Sequence, residues 1–110
     1  MTSINWNELA AQMGVAAEQV LKSDWAIISS SFAEEVQGYL MDVQNIQEMI
    51  ADGTFTADEG KQIMSIEADS MKSVLLASQG LAKLAIEQAV DAALAVAASV
   101  INSALNFKLL

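Results

Sequence analysis

Carboxylates are the most numerous side chains of this sequence that could do chemistry. The 110 residues include 14 Asp and Glu, but no histidine and no cysteine. Pairs such as Glu67 and Asp69, or Glu87 and Asp91, could hold two metal ions inside a helical bundle. Such centres also draw Glu-x-x-His pairs from facing helices, and a nucleophile–base pair usually needs His or Cys. We therefore expect solvated carboxylates, with no metal, no cofactor and no enzyme activity.

A second acidic feature lies at residues 52–59, which resemble the second half of an EF-hand calcium loop. Gly53 would be the bend and Glu59 the closing ligand. In this register the first loop position is Glu48, and the third is Ile50, whose side chain has no oxygen ligand. Because the first half of the ligand set is missing, the stretch is interpreted as a turn between two helices.

The same stretch carries the signals that end one helix and begin the next. Gly53 can supply the positive φ that ends a helix. Thr56 and Glu59 have the spacing of a capping box, in which each side chain accepts a hydrogen bond from the main-chain amide of the other. The sequence therefore predicts a turn at residues 52–56 and a helix beginning at 57.

Residues 9–20 resemble the helix-turn-helix of DNA-binding regulators, with Gly14 in the turn. A recognition helix there would present Glu18 and Lys22, and the chain has no arginine. Its net charge is −9, which repels the phosphate backbone that supplies most of the affinity for DNA. No nucleic acid is expected as a partner, and residues 5–22 are predicted to be an N-terminal helix or helix segment.

Two longer helices are predicted on either side of the turn. Before it, the apolar side chains recur every three or four residues over 25–51, as on one face of a helix. After it, no proline and no strong turn signal interrupts residues 57–105, and one helix of that length would be on the order of 70 Å long. Gly38 and Gly80 are expected to mark places where two helices approach closely.

Residues 74–107 are the most apolar part of the chain. Their charged side chains, Lys83, Glu87 and Asp91, are spaced four apart and form one polar seam on a helix. A helix that is apolar around most of its circumference needs cover, and a two-helix hairpin has no interior. We therefore predict that a second copy covers this helix. The residues predicted for this oligomer interface are Leu81, Leu84, Ala85, Ala89, Ala93, Val96, Ala97, Val100, Ile101 and Leu105.

Together these features predict an all-α fold in one helical domain, 1–110. Its core would be a long antiparallel helical hairpin, with or without a short extra N-terminal helix, completed into a bundle by oligomerisation. The predicted function is a non-catalytic structural or self-assembly protein, a subunit of a homo-oligomer or filament. Trp6 is expected to anchor in a neighbouring subunit.

Two other functions stay open at this stage. The chain could be a membrane-active protein that inserts its C-terminal helix into a bilayer or forms a pore. It could instead be a small adaptor or chaperone that covers an apolar segment of another helical protein. The membrane role is disfavoured because Lys83, Glu87 and Asp91 would need a polar lumen.

The sequence also gives expectations about location. The first twelve residues have no basic region followed by an apolar core, so no secretory signal is expected. No window reaches about 18 uncharged apolar residues, so no transmembrane span is expected either. The cytoplasm is the default expectation, and export without a cleaved leader is left open.

Overall fold

The computed structural model of this chain describes residues 4–77 and 81–110. The regular secondary structure of these residues is entirely helical. The all-α class predicted from the sequence is confirmed. One turn of 3-10 helix, Lys22–Asp24, joins the first two α-helices. The α-helices of the described residues are α1 (Trp6–Leu21), α2 (Trp25–Ala51), α3 (Ala57–Leu76) and α4 (Lys83–Leu105).

Helix α1 begins at a side-chain cap. The Asn5 Oδ1 atom accepts a hydrogen bond of 3.0 Å from the Glu8 main-chain amide, which satisfies one of the free amides of the first turn. The helix then runs through Gly14 without a break and ends at Lys22, where φ is 54°. Residues 9–20 are therefore one continuous helix, and the turn of a helix-turn-helix is absent from them.

The turn between α2 and α3 is built as its sequence signals indicate. Gly53 has a φ of 86°, in the left-handed region that favours glycine. The Glu59 amide donates to Thr56 Oγ1 at 3.1 Å, and the Thr56 amide donates to Glu59 Oε1 at 2.9 Å. The capping box at the start of α3 is thus complete.

The prediction of one continuous helix over residues 57–105 is wrong. Helix α3 ends at Leu76 and α4 begins at Lys83, and the main chain of Ala82 is extended, with φ −69° and ψ 139°. The physical reason is the cover that α4 gains by turning back. A single helix on the order of 70 Å would project beyond a molecule whose longest dimension is 43 Å.

The four helices pack in a ring, with α1 against α2, α2 against α3, α3 against α4, and α4 against α1. The α1–α4 contact is the most extensive of these. The small side chains of Ala89, Ala93 and Ala97 recur every four residues along α4 and are fully buried. Small residues at this spacing let two helix backbones approach closely. Leu9 and Met13 of α1 belong to the same buried core.

This packing corrects the argument for oligomerisation. The apolar face of α4 needs no second copy for its burial, because helix α1 of the same chain packs against α4. Ala89, Ala93, Ala97 and Ile101 are each 0% exposed within the single subunit. The long two-helix hairpin predicted from the sequence is replaced by a ring of shorter helices with its own interior.

Glycine marks a close helix approach, but at a different position from those predicted. A Cβ atom at Gly60 would lie 2.7 Å from Ile50 Cδ1 and 3.0 Å from Ile46 Cγ2, so α3 meets α2 most tightly there. A Cβ atom at Gly38 would meet nothing within 4 Å, so the prediction for Gly38 is wrong. Gly80 lies outside the described residues.

The residues after α4 fold back onto the helices. Asn106 adopts a left-handed conformation, with φ 64°, and ends the helix. The Asn102 side chain then holds the segment: its Oδ1 atom accepts from the Leu109 and Leu110 amides at 2.8 and 3.0 Å, and its Nδ2 atom donates to the Leu110 carbonyl at 3.1 Å. Leu109 is fully buried as a result.

Candidate functional site

A large cavity among the described residues is a groove between α1 and α2, which we call the α1/α2 groove. Its volume is about 570 Å³, within the roughly 300–1,000 Å³ typical of binding sites in proteins. The aromatic side chains of Trp6, Trp25 and Phe32 line it. The chain contains two tryptophans, and both lie in this groove. The other lining residues are Asn7, Ala10, Ala11, Gly14, Val15, Glu18, Ala33, Val36, Gln37, Leu40, Met41 and Gln44.

The 3-10 turn between α1 and α2 creates the groove. It brings α1 back alongside α2, so that the alanine and glycine positions of α1 face the aromatic positions of α2. A Cβ atom on Gly14 would lie 3.8 Å from the Trp25 ring, which is an ordinary contact. Phe32 and Val36 are buried in the floor, whereas Trp6 and Trp25 are half-buried. A ligand would therefore meet the two indole rings.

The rim of the groove combines exposed apolar side chains with uncharged polar ones. Val15 and Met41 are 52% and 63% exposed and line the groove. Asn7 and Gln37 add polar groups to the rim. Glu18 is the one ionisable side chain among the described residues of the lining. The described lining therefore offers mainly apolar contact area, with a few uncharged polar groups at its rim.

The structure divides the residues predicted for an oligomer interface. Ala89, Ala93, Ala97 and Ile101 are buried in the core of the single subunit. Leu84 is 64% exposed and stays available. The remainder are half-buried and pack against the core: Leu81, Ala85, Val96, Val100 and Leu105.

The α1/α2 groove was not predicted from the sequence, apart from the expectation that Trp6 contacts a neighbour. A sequence signal for it exists. Trp6 is the first residue of α1 and Trp25 is the first residue of α2. Helix α1 carries the small residues Ala10, Ala11 and Gly14. Large aromatic side chains that face small residues favour a recess. These residues form a recess only when α1 lies beside α2, and the sequence does not specify that arrangement.

The turn that resembles half of an EF-hand uses its acid for a local contact. Asp52 Oδ1 accepts a hydrogen bond of 2.9 Å from the Thr54 amide and another from the Thr54 hydroxyl. These two bonds, the hydroxyl first, lower the pKa of Asp52. No cluster of three or more potential metal-ligating side chains lies among the described residues.

Two carboxylates of the polar seam on α4 meet lysines: Glu87 meets Lys83 within the seam, as their spacing of four residues suggests, and Asp91 meets a lysine of another helix. Lys72 Nζ lies 2.6 Å from Asp91 Oδ1 and joins α3 to α4, while Lys83 Nζ lies 3.9 Å from Glu87 Oε1. The pKa of Lys72 is raised, chiefly by its bond to Asp91. The polar seam of α4 therefore faces α3.

One carboxylate pair links α2 to α3. Hydrogen bonding to Asp42, then burial, then the charge of Asp42 raise the pKa of Glu67. Burial and the nearby Glu67 charge raise the pKa of Tyr39 to about 12. A neighbouring carboxylate disfavours the charged form of a carboxyl group, which accounts for the direction of the Glu67 shift.

Comparisons with protein-family models, with curated proteins and with solved structures find no match to this chain. One helix of the described residues, α4, is long and apolar enough to cross a bilayer, with a mean hydropathy of 1.7 over its most apolar window. The core helix of a soluble protein passes the same test.

Proposed function

We propose that this chain is a non-catalytic helical protein that self-associates, with the α1/α2 groove of each copy receiving the apolar rim of the other. One observation carries the proposal: the same surface holds an apolar recess and exposed apolar side chains on its rim. The recess contains Trp6 and Trp25, and its rim carries Val15 and Met41. A twofold contact requires a surface that is complementary to itself in this way.

The distribution of charge supports the groove over other surfaces. The chain has a net charge of −9, so most faces of two copies repel each other. Glu18 is the single ionisable side chain that the described residues bring to the groove lining. Two copies that meet there keep their other carboxylates in solvent, where salt screens them. Acidification is expected to strengthen the association as carboxylate repulsion fades.

The form of the contact determines the form of the assembly. A groove-to-groove contact uses the same patch on both copies and closes at a dimer. A filament, the other assembly left open by the sequence, needs a second and different contact surface. Leu84 belongs to the interface predicted from the sequence and is 64% exposed on α4. It is therefore available for such a second contact surface.

Two matched substitutions test the proposal. Met41 is 63% exposed on the groove rim, and Ile66 is 65% exposed on α3, outside the groove. Met41→Glu places a charge in the contact, whereas Ile66→Glu adds the same charge to a free surface. We expect Met41→Glu to weaken self-association by roughly tenfold or more, and Ile66→Glu to leave it nearly unchanged.

The measurement is mass by light scattering across a concentration series, together with tryptophan emission. Because both tryptophans line the groove, their emission should shift to shorter wavelength as the wild-type chain associates. Circular dichroism of each variant checks that the fold is intact. A wild-type chain that stays monomeric at all concentrations would refute self-association. Equal effects of the two substitutions would refute the groove as its site.

A second candidate function, insertion into membranes, is supported by the length and hydropathy of α4. Insertion would require α4 to leave α1 and to lose the 2.6 Å contact between Asp91 and Lys72. Protonation of Asp91 and Glu87 would lower the cost of burying them in lipid. The test is release of dye from lipid vesicles, from neutral pH to about pH 4.5. Absence of release throughout this range would eliminate the candidate.

A further inference from the structure

A second cavity lies between α3 and α4, beneath the segment that follows α4. Its volume is about 310 Å³, at the lower end of the roughly 300–1,000 Å³ range of small-molecule sites. Met64 and Ala68 of α3 form one wall, and Leu94 and Ala98 of α4 form the other. Tyr39 of α2 also lines the cavity. None of these residues lines the α1/α2 groove, so the two sites are separate.

Two features keep this cavity from collapsing. Ala68 and Ala98 have side chains of one carbon, which leave space where a larger residue would fill it. The segment above cannot move inward, because Leu109 is already fully buried and Asn102 holds the main chain of Leu110 through a 3.1 Å hydrogen bond. The result is a mainly apolar recess large enough for an alkyl chain.

The charged side chains of the described lining are both cations, Lys61 and Lys108. No Asp or Glu side chain is among the described lining residues, although the chain has 14 carboxylates and only 5 lysines. The salt bridges in the described part of the chain involve Lys72 and Lys83. Lys61 and Lys108 therefore have no carboxylate side chain as a partner there.

We propose that this cavity binds a long-chain carboxylate of the fatty-acid class. The alkyl chain would lie between the walls that Met64 and Leu94 provide, and the carboxylate would meet the ammonium groups of Lys61 and Lys108. Burial of each methylene supplies affinity, and the two cations select the sign of the headgroup. The α1/α2 groove, which has no cation among its described lining residues, would not make this selection. The proposal is independent of self-association.

The test is calorimetric titration of the full chain with dodecanoate, below the concentration at which it forms micelles. Dodecanol and dodecyltrimethylammonium serve as ligands of equal chain length with no charge and with opposite charge. Ala98→Leu fills the cavity, and Ala95→Leu, exposed on the same helix, is its matched control. The double variant Lys61→Gln, Lys108→Gln removes the cations, and Lys83→Gln removes an exposed lysine elsewhere on α4.

We expect one dodecanoate per chain. Its affinity should fall by roughly tenfold or more in Ala98→Leu and in the double lysine variant, and should change less than about twofold in Ala95→Leu and Lys83→Gln. The double variant should leave dodecanol binding unchanged. If Ala98→Leu does not fold, Ala68→Leu fills the opposite wall and takes its place. The proposal is overturned if dodecanoate does not bind, if dodecyltrimethylammonium binds as well, or if the filled cavity binds as before.

Discussion

The indole of Trp25 packs edge-on against the ring of Phe32, with the ring centroids 5.3 Å apart and the planes inclined at 66°. Aromatic pairs in this arrangement contribute about 0.5–1.5 kcal/mol beyond the area that they bury. Phe32 is fully buried, whereas Trp25 is half-exposed to the α1/α2 groove. The pair therefore connects the lining of the groove to the core, and the shape of the groove depends on the packing beneath it.

Truncation of Phe32, the buried member of this pair, should strongly lower the stability of the fold. Phe32→Ala is expected to lower the free energy of unfolding by about 3–5 kcal/mol, because it leaves a cavity at a position with 0% exposure. Urea denaturation followed by circular dichroism measures the change. The control is Met41→Ala, in the same groove but 63% exposed, which should cost no more than about 0.5 kcal/mol. Similar losses for both would contradict the burial of Phe32.

The contact between α1 and α4 can be tested with two alanines of α4. Ala93 is 0% exposed and Ala95, two residues on, is exposed. Ala93→Leu should destabilise the chain by about 1–3 kcal/mol, because the added carbons force the helices apart. Ala95→Leu should change stability by less than about 0.5 kcal/mol. Thermal unfolding at low protein concentration, where the monomer prevails, compares them. No loss in Ala93→Leu would mean that α1 does not cover α4.

Two glycines in helices should respond to alanine with opposite signs. At Gly38 a Cβ atom meets open space, so Gly38→Ala should stabilise the chain by about 0.5–1 kcal/mol through helix propensity alone. At Gly60 it would lie 3.0 Å from Ile46 Cγ2, so the gain is outweighed and Gly60→Ala should cost about 1 kcal/mol. Chemical denaturation of both variants measures the change in the free energy of unfolding. A gain of equal size at both positions would refute the tight approach of α3 to α2.

The Asp42–Glu67 pair predicts a dependence of stability on pH. The pKa of Glu67 is raised in the folded chain, so the folded state binds more protons than the unfolded state at pH values just above the ordinary glutamate pKa of 4.5. The pair's contribution to stability therefore grows as pH falls through this window and is lost as pH rises. Glu67→Gln removes the repulsion and should stabilise the chain at neutral pH by less than about 1 kcal/mol.

Melting temperatures of the wild type and of Glu67→Gln test this, at neutral pH and at about pH 4.5. The difference between the two chains should shrink towards the acidic end. Asp69→Asn, an exposed acid on the same helix, is the control for the loss of one negative charge. A Glu67→Gln effect that is the same at both pH values would argue against a raised pKa of Glu67 in the folded chain.

The parts of the fold that depend on local signals could be predicted from the sequence. The turn at Gly53 and the start of α3 at Thr56 rest on main-chain conformation and on hydrogen bonds between residues three apart, which neighbouring residues determine. The repeating apolar positions of α2 likewise mark one face of one helix. Each of these features requires no knowledge of how the rest of the chain packs.

The parts that depend on distant residues could not be predicted. The break between α3 and α4 lets α4 pack against α1, which buries Ala93 and Ala97. No strong local turn signal in the sequence predicts this break. The link between Asp42 and Glu67 joins two helices whose relative rotation the sequence does not state. The groove has the same origin, because Trp6 and Phe32 line one recess only after α1 has folded back on α2. Sequence patterns identified which side chains are apolar, but not which helix would cover them.

The most extensive contact of the molecule joins its first helix to its last, and this has a consequence for biosynthesis. A ribosome completes α1 before it has made any of α4, so the apolar row of α1 that includes Leu9 and Met13 stays uncovered while the intervening helices emerge. Final closure of the ring must follow translation of α4. In that interval the nascent chain exposes apolar surface that favours aggregation, and slow translation through α2 and α3 would prolong the exposure.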